Sequence, residues 1–96
     1  ESEIPLVEIG SVLFAQKKYD GAVQSYRKAL NLKKDSPYAR AYLGEALFFR
    51  GKKEEAIAEL EKAVTLDSSG KCGEFARALL DAIKKGFAPP DQLGHH

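Results

Sequence analysis

Few side chains in this sequence could perform covalent or proton-transfer chemistry. Cys72 is the single cysteine, and the only histidines, His95 and His96, stand at the very end. A thiol becomes a nucleophile when a neighbouring base or a depressed pKa exposes its thiolate. The closing "GHH" reads as the start of a purification tag, which leaves Cys72 without a histidine to activate it. One cysteine cannot close an internal disulfide, so Cys72 reads as a buried or half-buried structural thiol that fits the cytosol. Glu8 and Glu45 could both face one groove, but two carboxylates a repeat apart do not make an acid–base pair. There is no glycine-rich phosphate loop and no spacing that would ligate a metal. The expectation is a non-catalytic protein without cofactor or metal.

Composition narrows the alternatives further. Ninety-six residues with 44% hydrophobic and 30% charged side chains suit one small globular domain. Fifteen basic against fourteen acidic residues, a net charge of +1, leave no electrostatic footprint for nucleic acid. Four lysine pairs (17–18, 33–34, 52–53 and 84–85) are expected near helix C-termini, where a cation complements the dipole. The longest apolar stretches, such as "AYLGEALFF", fall well short of the roughly 18 residues a membrane span requires. "ESEIP" is acidic where a secretion signal would be basic, and the lack of methionine points to a longer parent.

The positioning elements emerge when the chain is laid against itself. Displaced by 34 residues, Gly10 falls on Gly44, Leu13 on Leu47 and Phe14 on Phe48. Ala22 then meets Ala56, Lys28 meets Lys62, Ala29 meets Ala63 and Leu32 meets Leu66. Such a period is the mark of stacked helical hairpins. Leu6, Ile9, Gly10 and Leu13 form one helical stripe; Ala22, Val23, Tyr26, Ala29 and Leu30 form the next. Ser36 and Pro37 are an N-cap followed by a first-turn proline, and Gly51 suits a left-handed helix stop. Five helices are predicted near 4–17, 20–33, 37–50, 53–66 and 72–86. Glycine and alanine at the repeated positions would let the helices approach closely.

These residues resemble the tetratricopeptide repeat, a helical hairpin of about 34 residues. Repeat one, 3–36, supplies Leu6, Ile9, Gly10, Leu13, Lys17, Ala22, Tyr26 and Ala29. Repeat two, 37–70, supplies Arg40, Leu43, Gly44, Leu47, Gly51, Ala56, Leu60 and Ala63. The family's Trp position holds Leu6 or Arg40, and its closing Pro position holds Lys34 or Ser68. Residues 72–86 read as a capping helix whose stripe is Phe75, Leu79, Ala82 and Ile83. Arg77 stands there in place of the expected leucine, which predicts a register displaced by a residue or two. Residues 87–96 form a tail, with "FAPPDQLG" extended and able to serve as linker or as groove occupant. The resemblance implies an all-α, right-handed solenoid with one domain over 1–86.

It also implies a place of action. Tetratricopeptide arrays bind peptides or helices in a concave groove lined by the first helix of each pair. Position by position that face maps to Ile4, Val7, Glu8, Ser11, Phe14 and Ala15, then to Tyr38, Ala41, Tyr42, Glu45, Phe48 and Phe49. From these, Val7, Ser11, Phe14, Tyr38, Tyr42, Glu45, Phe48 and Phe49 are the candidate binding residues. Family members that clamp acidic chaperone tails use Lys, Asn, Asn, Lys and Arg where this chain has Val7, Ser11, Tyr42, Cys72 and Ala76. None matches, so the groove is expected to select apolar or aromatic side chains with a few polar anchors. The partner would be a protein or peptide. The alternative is a structural role, in which apolar surface drives self-association or docks on the rest of a parent chain.

Overall fold

The computed structural model describes residues 2–89, and those residues contain five helices and no strand. They are α1 (Ile4–Ala15), α2 (Tyr19–Leu32), α3 (Pro37–Phe49), α4 (Lys53–Leu66) and α5 (Lys71–Lys84). Each helix packs on the next, and α3 also touches both α1 and α5. The odd helices therefore form one layer and α2 and α4 a second. A thickness of 18 Å against a length of 45 Å fits two layers of helices about 10 Å across.

Local sequence explains the boundaries. Ser36 caps α3 by accepting a bond from the Ala39 amide (3.1 Å), and Pro37 follows it as predicted. The same hydroxyl donates to the Glu3 carboxylate (3.0 Å), tying the start of α1 to the start of α3. α5 starts differently, with Asp67 Oδ2 accepting from the amides of Cys72 (3.2 Å) and Gly73 (3.4 Å). Asp20 lies inside the first turn of α2 and pairs with Arg50 across the repeats.

Three helices end in one way. The amides of Lys18, Lys52 and Phe87 bond to the carbonyls of Leu13, Leu47 and Ala82, at 2.8, 2.8 and 2.9 Å. Lys17, Gly51 and Gly86 take positive φ beside them, which makes each stop a Schellman motif. Positions 17 and 51 are one period apart, whereas 86 falls one residue late. The displaced register of the last helix is thus real and amounts to a single residue. Gly73 and Ala76 are the buried small residues of α5. Among the lysine pairs, Lys33 and Lys85 are the C-caps of α2 and α5 as expected, whereas Lys52 and Lys53 open α4 beside Glu54 and Glu55.

The core is made of small residues and a few large ones. Ala22, Ala29, Ala39, Ala41, Ala56 and Ala63 are inaccessible, with Tyr26, Leu43, Leu60 and Ile83 filling the space between them. The glycine positions explain the period. A Cβ on Gly10 would lie 2.5 Å from the Tyr26 ring, and one on Gly44 would lie 2.7 Å from Leu60. Tyr26 and Leu60 are themselves one period apart, so both hairpins close by the same contact of a bulky side chain on bare backbone.

Candidate functional site

The predicted binding residues divide into three groups. Val7 (0% exposed) and Phe48 (5%) were expected on the binding face but belong to the core. Both point between helices, where the crossing buries the position. Phe14 and Phe49 are half-buried in an aromatic chain at the hairpin turns. Phe14 meets Tyr19 at 5.3 Å and Phe49 at 5.0 Å, and Phe48 continues the series to Phe87 at 5.7 Å. Phe87 opens the tail, whose Pro89 is also buried; residues beyond 89 lie outside the described part. This aromatic chain accounts for Phe49 as packing.

Tyr38, Tyr42, Glu45 and Ser11 form the third group. Tyr38 and Tyr42 stand one turn apart on α3, with rings 5.2 Å apart edge to face. Tyr42 stacks on Tyr26 of α2 at 6.2 Å and on Phe75 of α5 at 5.3 Å. Tyr26 in turn shares a hydrogen bond with Ser11 of α1 (3.0 Å). One column of aromatic rings therefore joins α2, α3 and α5, and the Ser11 hydroxyl ties it to α1. Between α3 and α5 it borders a cleft of about 190 Å³ lined by Tyr38, Ala41, Tyr42, Lys71, Cys72 and Phe75.

Phe75 and Lys71 were not foreseen at this cleft. Phe75 had been placed on the core stripe of the capping helix, and a strict 34-residue register concealed its meeting with Tyr42. Cys72 sits half-buried in the cleft wall. Burial, with the nearby Asp67 charge, pushes its thiol pKa up, so it stays protonated and a poor nucleophile. Arg77, which the one-residue displacement brings to a clamp position, instead donates to the Ser68 carbonyl (2.6 Å).

The electrostatics of the column turn on Glu45. Burial raises the pKa of its carboxyl, and among the described residues it has no hydrogen bond or ion pair. Burial also raises the Tyr26 and Tyr42 phenols, and the Glu45 charge contributes to both shifts. The carboxylate thus lies beside two phenols that remain neutral. Because the fold favours protonated Glu45, its stabilising contribution is present below the ordinary carboxylate range and is lost as pH rises through the raised value. Glu45→Gln is expected to raise Tm at pH 7 by roughly 2–4 °C. No gain should remain near pH 3.5, a comparison that calorimetry at the two pH values makes directly.

Two family models match the chain. One, described as a TPR repeat, covers residues 10–49, and the other, described as a tetratricopeptide repeat, covers residues 39–69. The chain belongs to the tetratricopeptide repeat family. No curated protein matches it. Tetratricopeptide repeats are non-catalytic interaction modules that bind protein partners. Among the described residues no group of three or more acidic, cysteine or histidine residues is placed to hold a metal ion. Among the described residues of this tetratricopeptide domain, no helix is long and apolar enough to cross a membrane.

Proposed function

We propose that this tetratricopeptide domain is an adaptor that holds a peptide or helix of another protein against α3 and α5, and that it has no catalytic role. One observation carries the reading. Tyr38, Tyr42 and Phe75 keep part of their rings accessible around a cleft, although the hairpins already bury Leu43, Leu47 and Leu60 elsewhere. A tyrosine offers a large, stiff ring while its hydroxyl stays in water, which suits recognition. Without the basic clamp residues, the site favours apolar and aromatic ligand side chains over acidic tails.

The test is affinity capture from a cell lysate on the wild type and on a Tyr38→Ala/Tyr42→Leu variant of unchanged helicity. Loss of ring anchors at an interface centre commonly costs 2 kcal/mol or more, about 30-fold in affinity. Partners captured by the wild type should be absent from the variant. Undiminished capture would remove the cleft from consideration.

A second reading has its own support. α1 carries apolar residues on all sides, and Ile9 and Val12 are 53% and 57% exposed. A helix apolar around its circumference is normally covered. On this reading the domain self-associates or docks on the rest of a parent chain through α1. Light scattering across concentration separates the readings: a constant monomer mass excludes self-association, and a rising mass supports it.

A further inference from the structure

We propose that the bound peptide presents an arginine or lysine to Glu45, which serves as its counter-ion beside the aromatic wall of Tyr42 and Phe75. This rests on the peptide-binding reading above and specifies which chemistry the surface selects.

Three carboxylates partly withdrawn from water have partners. Glu59 is paired with Arg40 at 2.7 Å, Glu3 accepts from Ser36, and Asp67 accepts two backbone amides. Glu45 is half-buried as well, yet among the described residues nothing binds it. Its oxygens keep some contact with solvent, and pairing would replace the water that partial burial has removed.

The chain's own cations do not supply the partner. Arg40 is held by Glu59 and the Lys34 carbonyl, Arg50 by Asp20, Arg27 by Glu55 and Arg77 by Ser68. Lys71 lines the adjoining cleft but makes no ion pair with Glu45. An incoming cation would therefore meet an unoccupied carboxylate in a poorly solvated place, where charge-assisted bonds are strongest.

The surroundings favour the same ligand. Tyr42 stands one turn before Glu45 and stacks on Phe75, an aromatic surface along which the aliphatic stem of an arginine or lysine can lie. The neutral phenols of Tyr26 and Tyr42 flank the carboxylate and add no competing positive charge. An acidic ligand would be repelled. The polarity is thus opposite to that of a site built for carboxylate tails.

The experiment is selection of a displayed library of random 12-residue peptides on the wild type, on Glu45→Gln and on Tyr38→Ala/Tyr42→Leu. The wild-type pool should converge on peptides with arginine or lysine at one fixed position beside apolar residues. A synthetic member should bind at least about tenfold more weakly to Glu45→Gln, in fluorescence anisotropy. Replacing its basic residue by norleucine should cost a similar factor, and the two losses should not add. A pool without a fixed basic position, or with affinity indifferent to Glu45→Gln, overturns the ionic contact. If that pool still depends on Tyr38 and Tyr42, peptide binding stands and only the cation is wrong. A pool indifferent to the tyrosines as well, or no pool at all, overturns both.

Discussion

Gly10→Ala is expected to lower the unfolding free energy by about 2–3 kcal/mol, although alanine is the better helix former by about 1 kcal/mol. The added methyl would lie 2.5, 2.7 and 2.9 Å from three ring carbons of Tyr26. That ring cannot swing aside. It is buried, stacked against Tyr42 and tied to Ser11 through its hydroxyl. Relief must come from moving α1 away from α2, which would also strain the column of rings leading to Phe75. Urea denaturation followed by far-UV circular dichroism gives the difference, with an unchanged m-value showing that the folded state is still compact. A neutral or stabilising result would mean that the two helices do not touch at this residue.

The glycine contact is also why so much of the fold was legible. A close helix approach tolerates few residue types, so Gly10, Gly44, Ala22, Ala29, Ala56 and Ala63 had to recur, and their spacing disclosed the hairpins. Capping at Ser36 and the stop at Gly51 were readable because those backbone conformations also restrict the residue. Lys17 was not recognised as a left-handed stop, since lysine gives no such signal. The register of α5 was only partly legible, because a terminal helix buries one face: α5 starts in step with α3, 34 residues on, and falls one residue out of step only at its stop at Gly86.

The candidate site was less legible than the fold. Periodicity says which residues share a helix face but not whether a neighbour covers that face. Val7 and Phe48 occupied the expected stripe, and the crossing of α1 and α3 with their neighbours buried both. Ile9 matched Leu43 in the repeat pattern, yet Leu43 is covered while Ile9 is more than half exposed. The difference lies in position along the array rather than in the residue, for α3 has neighbours on both sides and α1 is at an edge. Glu45 stood out only once its lack of a partner could be seen.

Leu60→Ala is expected to cost about 3 kcal/mol, through lost burial and the cavity left between α3 and α4. Its distinctive consequence concerns Gly44. Alone, Gly44→Ala should be destabilising, because the new methyl would meet Leu60 carbons at 2.7 and 2.8 Å. Truncating Leu60 removes those very atoms, and the methyl then enters the space they leave. The double variant should therefore be more stable than the sum of the single losses allows, by about 1 kcal/mol or more. Rescue should be incomplete, since the Ala56 carbonyl oxygen remains 3.2 Å from the same methyl and backbone does not yield as a side chain does. Repeat one offers no flexible aliphatic side chain to give way at Gly10, only the pinned Tyr26 ring. The two glycines should thus differ in tolerance although they hold the same place in the repeat. Equal losses at both, or strict additivity between Gly44 and Leu60, would show that shared position rather than direct contact sets the cost.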